Sequence, residues 1–473
     1  MSEVLAKSLG CAKVKALPPF LKEICAAQRS VENIVREGAA TNEVVFQPQA
    51  IDRIWPFLPK TYIIYSFVLP NCASDIEDSL KFGLRRCLQS SSPFAFLGGR
   101  YSPKSQAIID TNAGVPFTTI RINCALPWAE PWDDESLMCY LADLRRSADI
   151  TSDSAPPMTV TLALFSSGAI LTISTHHLVM DGEASMSFVQ EWASYCRGTE
   201  PTVSSMASRV ARTRTALPII HAFSVRSWFL GNVFSCIDGQ FVRSVKALQT
   251  GWNPRCHLPS PAVTPRRCVA LSADSIKRLK AAASPVPPGW VSTQEVLSAY
   301  LLLSLWQATA RPMLPASIQF AFAGRKYFDE ADIAGNYAYS IVVVVPIEVL
   351  GAGLQAVTVW IHDSIAKHNN ADSAKISYAA LAATKGDFIS LLNLVQDGKA
   401  YACELIVNNL SKTTLPVFGC QSAAASCFVK TGPTLLLSGS GGGIRVFLQQ
   451  GRFLPSGVTA FQWAQAMKGL HPF

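Results

Sequence analysis

Two runs of aliphatic and β-branched residues, Met158 to Phe165 and Ala169 to Thr175, flank Ser166-Ser167-Gly168, a pattern that predicts a hairpin of buried strands. Beyond it Met186, Phe188, Val189, Trp192, Ala193 and Cys196 recur at helical spacing, which predicts a helix of about three turns beginning between Gly182 and Ser185. Upstream, an aromatic-rich opening runs from Ile54-Trp55-Pro56-Phe57 to Leu69 and precedes a helix expected over Asp75 to Leu88. The apolar run Ser340 to Val345 is stopped by Pro346 and Glu348 and reads as a buried strand rather than a membrane span. From Gly198 to about Pro265 the pattern breaks into Ser, Pro, Arg and aromatic residues, the composition of a crossover between domains. A helix at Val225 to Lys246 within it carries Trp228, Phe229, Phe234 and Phe241, and is read as packing across a domain seam in preference to lying on a membrane surface. Strand-helix alternation resumes at Arg266 and continues without a repeat period. The expected organisation is an extension over 1–43, a first domain over 44–197, a linker over 198–265 and a second domain over 266–473.

Between the second strand of the hairpin and the helix lies Ser174-Thr175-His176-His177-Leu178-Val179-Met180-Asp181-Gly182. A strand end followed by a helix start is a rigid mount for reactive side chains. Neighbouring residues on a strand face opposite sides, so one of His176 and His177 is expected to do chemistry. A neutral imidazole accepts a proton from a hydroxyl, amine or thiol near neutral pH. Asp181 has three readings on residue type alone: it orients the imidazole, it pairs with an arginine to fix the loop, or it caps the following helix. Metal binding is not expected, because no further His or Cys pair stands at ligand spacing near the motif.

Composition narrows the class. Of 473 residues 49% are hydrophobic and 16% charged, which suits a large globular enzyme of more than one domain. The net charge of +8 suits an anionic ligand, but Lys and Arg are dispersed and form no basic face of the kind that binds nucleic acid. The 13 cysteines stand singly without a CxxC, as expected in a reducing compartment. Met1 to Lys15 contains no long apolar run, so a secretory signal is not expected and a cytoplasmic location is. Neither a G-x-S-x-G elbow nor a phosphate loop occurs, and Ser438-Gly439-Ser440-Gly441-Gly442-Gly443 lies between two strand-like runs as a hairpin turn.

His177-Leu178-Val179-Met180-Asp181-Gly182 resembles the HxxxDG signature of the BAHD acyltransferases and the fungal trichothecene-type O-acetyltransferases, and His176 extends it to the HHxxxDG of peptide-synthetase condensation domains. Further stretches follow the BAHD order. Ser292-Thr293-Gln294-Glu295-Val296-Leu297-Ser298-Ala299-Tyr300 is similar to the helix that opens the family's second core. Phe322-Ala323-Gly324-Arg325 and Gly335-Asn336-Tyr337 resemble its DGR and GN segments. Asn409-Leu410-Ser411 through Phe418-Gly419 lies where the family has a serine-containing strand and a DFGWG motif, and Leu435 to Phe447 looks like its late hairpin. Where members read DFGWG, this chain has Val417-Phe418-Gly419-Cys420-Gln421, without the acidic residue, the tryptophan and the second glycine. In the family that segment supports the coenzyme channel.

The resemblance implies an α/β (α+β) fold of two similar mixed-sheet domains with flanking helices, like chloramphenicol acetyltransferase, and a channel at their interface. It implies His177 as general base, Asp181 beside it as a second motif residue paired with Arg325, and Gly182 as the turn into the helix. Asn409 or Ser411 is the implied oxyanion donor, with Asn336 and Ser292 near the acyl donor. The implied reaction is acyl transfer, most simply of acetyl, from acyl-coenzyme A as co-substrate to a hydroxyl of a specialised metabolite, by a monomer with no tightly bound cofactor. Two other classes stay open: a condensation-like enzyme taking its acyl group from a carrier protein, and a family fold turned to lyase, cyclase or binding duty.

Overall fold

The computed structural model describes residues 27–48, 52, 62–126, 155–201, 266–284, 291–308, 313–328, 335–375, 402–410, 416–419, 424–429, 434–440 and 443–449. They divide into two compact units. The first draws on Met1–Ala216, Phe328–Tyr337 and Thr414–Lys430, and the second on Leu217–Tyr327, Ala338–Thr413 and Thr431–Phe473. Two pieces of the C-terminal half therefore belong to the first unit, an arrangement that a division by sequence order does not anticipate. The expected helix at Val225 to Lys246 lies outside the described residues.

In the first unit, strands β1 (Gln28–Ile34), β3 (Tyr62–Pro70), β6 (Val115–Arg121), β7 (Met158–Phe165), β8 (Gly168–His176) and β13 (Ala424–Val429) form one sheet in the order β1-β6-β7-β8-β3-β13. The pair β6 and β7 is parallel and the other pairs antiparallel. The predicted hairpin is β7 and β8, with Phe165 opposite Gly168. Gly168 has φ +154°, and a Cβ there would lie 2.7 Å from the Leu69 carbonyl oxygen, so the turn admits no side chain. Every residue of β8 is buried, which explains why its sequence is a continuous apolar and threonine run instead of an alternation. A separate small sheet of β2 (Val44–Phe46), β4 (Arg100–Ser102) and β5 (Ala107–Ile109), in the order β2-β5-β4, belongs to the same unit.

Two helices of this unit pack on each other. Helix α1 (Ile76–Cys87) has acidic Glu77 and Asp78 in its first turn and Arg85 and Arg86 in its last, matching the helix dipole, and buries Ile76, Leu80, Leu84 and Cys87 on one stripe. Helix α2 (Gly182–Cys196) is the predicted helix after the motif. Its Trp192 is fully buried and donates its indole N–H to the Leu80 carbonyl at 2.8 Å, which locks α2 onto α1.

Strand β13 reaches the first unit from the far half of the chain and pairs antiparallel with β3. Just before it, Phe418 is fully buried, 5.9 Å from the Phe67 ring and 5.5 Å from Trp192 in an edge arrangement. Arg197, after α2, donates to the Val417 carbonyl. The altered Val417-Phe418-Gly419 segment thus holds an apolar anchor, and the phenylalanine that does the anchoring is the aromatic residue it keeps from DFGWG.

The second unit is built on strands β9 (Arg266–Leu271), β10 (Ala316–Ala323), β11 (Ala338–Val345), β12 (Glu404–Leu410), β14 (Thr434–Ser440) and β15 (Gly443–Gln449), in the order β11-β10-β12-β14-β15-β9. β10, β12 and β14 run parallel in the centre and antiparallel strands flank them, so this sheet is mixed as expected. β11 contains the apolar run Ser340 to Val345 predicted as a strand, and β14 with β15 is the expected late hairpin. Helices α3 (Ala273–Ala283), α4 (Thr293–Ala308) and, after the short α5 (Ile347–Gly351), α6 (Leu354–His368) pack against one another. α4 buries residues around most of its circumference, among them Val296, Leu297, Leu301, Leu302 and Leu305, and is a core helix. Among the described residues, no helix is long and apolar enough to cross a membrane.

Candidate active site

β8 ends at His176, so His177 sits in the turn that follows and not on the strand. This departs from the expectation of two histidines on opposite strand faces, since both are buried. The turn is closed locally: Val179 N–H donates to the His176 carbonyl at 3.1 Å, and Leu178 N–H donates to His176 Nδ1 at 3.0 Å. That bond commits one nitrogen of His176 to the backbone. Leu178, Val179 and Met180 are fully buried, so the three middle positions of the motif plug the turn into the core.

Asp181 uses both carboxylate oxygens. Oδ1 accepts from Ala184 N–H at 2.8 Å, the N-cap of α2, and Oδ2 accepts from Tyr337 N–H at 2.7 Å. Its own N–H donates to the Gly335 carbonyl at 3.2 Å. The helix-capping reading therefore holds, and the same carboxylate also clamps the Gly335-Asn336-Tyr337 segment, 156 residues further along the chain. Gly335 has φ +128°, a backbone conformation that a side chain would strain, so glycine is required beside the clamp. Gly182 opens α2, and its carbonyl accepts the Tyr65 hydroxyl at 3.1 Å.

The clamp delivers Asn336 to the histidine. Asn336 Nδ2 lies 2.6 Å from the His177 carbonyl oxygen and 2.6 Å from Asp52 Oδ1, and Asn336 Oδ1 lies 2.8 Å from His177 Nδ1. Asn336 N–H adds a 3.3 Å bond to the same Asp52 oxygen. Both close partners of Nδ2 are oxygens that only accept, which fixes the amide orientation and turns Oδ1 toward the imidazole. An amide oxygen cannot donate, so His177 carries its proton on Nδ1 and keeps the lone pair on Nε2. Burial pushes the His177 pKa below its ordinary value; the Asp181 charge, a backbone hydrogen bond and the bond to Asn336 oppose the shift without cancelling it. A neutral imidazole with Nε2 unprotonated is the form a general base needs.

The remaining expected residues fall in the second unit, apart from Asn336 in the first and Ser411, which lies outside the described residues. Ser292 forms a capping box on α4: its hydroxyl accepts from Glu295 N–H at 3.2 Å, and its own N–H donates to Glu295 Oε2 at 2.6 Å. Asn409 on β12 donates to Gln294 Oε1 at 3.0 Å, which brings it to the same helix start. Arg325 is buried on the short turn Arg325–Tyr327. Asp52, Tyr65 and Gln294 were missed by sequence reasoning. Asp52 belongs to no local motif, and its only signal is an acidic residue just ahead of the aromatic-rich opening.

A histidine presented on a strand-turn-helix and backed by a carboxamide, in a chain of two mixed α/β units, is an arrangement able to take a proton from a hydroxyl or thiol. The fold is that of vinorine synthase (TM-score 0.60, 15% identity, covering 89% of this chain and 95% of that one). It is equally that of TRI101 from F. graminearum, solved with coenzyme A and T-2 mycotoxin (TM-score 0.61, 13% identity, covering 90% and 97%). The starter condensation domain of rhizomide synthetase is also similar (TM-score 0.56, 12% identity, covering 91% and 95%). Among curated proteins, phenolic glucoside malonyltransferase 1 of Arabidopsis thaliana is 24% identical over 144 residues, a match spanning 28% of each protein. The family model described as "Transferase family" matches residues 41–384. The chain belongs to this family, the BAHD acyltransferases, and is an acyltransferase by class.

Proposed function

We propose that this protein transfers an acyl group, acetyl in the simplest case, from a coenzyme A thioester to a hydroxyl of a small specialised metabolite, with His177 as general base. His177 Nε2 takes the hydroxyl proton as the oxygen attacks the thioester carbonyl carbon. When the tetrahedral intermediate collapses, the carbon–sulfur bond breaks and the proton passes from Nε2 to the departing sulfur. The new ester needs no covalent acyl-enzyme. The observation that carries this reading is the hydrogen bond from His177 Nδ1 to Asn336 Oδ1 at 2.8 Å, because it leaves Nε2 unprotonated. In the same reading Asn409 or Ser411 donates to the transient oxyanion, and Asp181 and Arg325 pair to hold the motif. A cytoplasmic monomer with no tightly bound cofactor completes the proposal.

The doubled His176-His177, which matches the HHxxxDG pattern of condensation domains, favours one second reading, an acyl donor bound to a carrier protein. One experiment separates the two. Wild type and His177→Ala are assayed with labelled acetyl- and malonyl-coenzyme A against a panel of hydroxylated metabolites, and coenzyme A binding is measured by calorimetry. Transfer by wild type that falls about 100-fold or more in the variant supports the base. Transfer that survives the substitution removes His177 from the chemistry, and an absence of coenzyme A binding moves the weight to the carrier-bound donor.

A further inference from the structure

Asp52 is fully buried and has no place in the motif, yet it lies two hydrogen bonds from the imidazole. We infer that Asp52 is a positioning residue for His177, acting through Asn336 to set which imidazole nitrogen carries the proton. The inference rests on the acyl-transfer reading only for its effect on rate.

A carboxamide has two ends of similar shape and opposite hydrogen-bonding sense, so Asn336 by itself is free to face His177 with either. With Nδ2 toward the ring, it would accept nothing and would donate to Nδ1, which would move the proton to Nε2 and disable the base. Asp52 removes this freedom. Its Oδ1 takes Nδ2 at 2.6 Å and also takes the Asn336 backbone N–H at 3.3 Å, so the carboxylate grips the residue at two points. A flipped amide would set its oxygen against the Asp52 oxygen and the His177 carbonyl at once, two acceptor-acceptor contacts in a site without exposure on either Asp52 or Asn336. The His177 carbonyl favours the same orientation, and a carboxylate is the stronger acceptor of the two. Asp52, Asn336 and His177 thus form a chain in which the orientation of each group follows from the one before, and all three belong to the first unit.

The direct readout is the tautomer itself. Nitrogen-15 spectra of histidine-labelled protein, assigned with a His177→Gln control, distinguish a protonated from an unprotonated ring nitrogen. In wild type Nδ1 of His177 is expected to be the protonated one. In Asp52→Leu, similar in size but without an acceptor, a substantial population should carry the proton on Nε2, and kcat should fall about 10- to 100-fold with the KM for acyl donor within about twofold. Asp52→Asn keeps an acceptor oxygen and should restore the Nδ1 tautomer and most of the rate. In an Asn336→Ala background, Asp52→Leu should cost nothing further. An Asp52→Leu protein that folds with the wild-type tautomer overturns the inference, as does additivity in the double variant. Should Asp52→Leu fail to fold, Asp52→Ala, which also removes the acceptor, is read in the same spectra: an Nδ1 tautomer unchanged from wild type refutes the coupling. Because the spectra need no substrate, a wild type with the Nδ1 tautomer but no acyl transfer would refute the function and leave this inference standing.

Discussion

Replacing Asp181 tests whether this carboxylate carries protons or holds the site together. In Asp181→Ala, α2 loses its N-cap, worth about 1 kcal/mol, and the Tyr337 N–H is left without its buried acceptor, at a cost of about 1–3 kcal/mol. The sum is a destabilisation of about 2–4 kcal/mol. At about 2–4 °C per kcal/mol for a unit of this size, the melting temperature should fall by roughly 4–16 °C. Asp181→Asn retains one acceptor oxygen and must turn an amide N–H₂ toward the other backbone donor, so its shift should be smaller and still clear. Differential scanning calorimetry of both variants, alongside His177→Gln, measures the effect. Kinetics complete the test: once corrected for folded fraction, Asp181→Asn should retain activity within about tenfold of wild type, where loss of a general base costs about 100-fold or more. A melting temperature within 2 °C of wild type, or a kcat/KM loss equal to that of His177→Ala in a fully folded protein, would refute the clamp.

Three further outcomes are expected. Phe418→Ala removes the ring packed on Phe67 and Trp192 and should cost about 3–5 kcal/mol, with faster amide exchange in the β13–β3 pair; a change under about 1 kcal/mol in urea unfolding would show that the anchor is dispensable. Burial lowers the His177 pKa, so the acidic limb of kcat/KM should lie below pH 6.5; the stability tied to the neutral ring is present above that unfolded-state value and is lost as pH falls through the folded one, and a limb above 6.5 contradicts the burial argument. Ser292→Ala should cost about 1 kcal/mol of stability through the lost cap, with the KM for acyl donor unchanged; a large rise in KM without loss of stability would return Ser292 to donor binding.

Local pattern carried much of the fold. The β7–β8 hairpin, α2 after the motif and the strand β11 were legible because burial on a strand or helix imposes a period on nearby residues. The return of β13 to β3 was not, because strand pairing across hundreds of residues leaves no mark on either segment alone. Phe418 illustrates the difference. Its motif looked degraded by identity, whereas the ring contacts that matter there depend on the one aromatic residue that was kept.

The site divides in the same way. By itself the sequence determined that an imidazole, a carboxylate and a helix start stand together at His177-Leu178-Val179-Met180-Asp181-Gly182, since chain connectivity guarantees that proximity. Only the tertiary structure decided what each group does. Asp181 clamps a segment 156 residues away, and Asn336 reaches His177 across 159 positions and Asp52 across 284. Hydrogen-bond direction then fixes the proton on Nδ1, a property of three side chains in space that no spacing along the chain encodes.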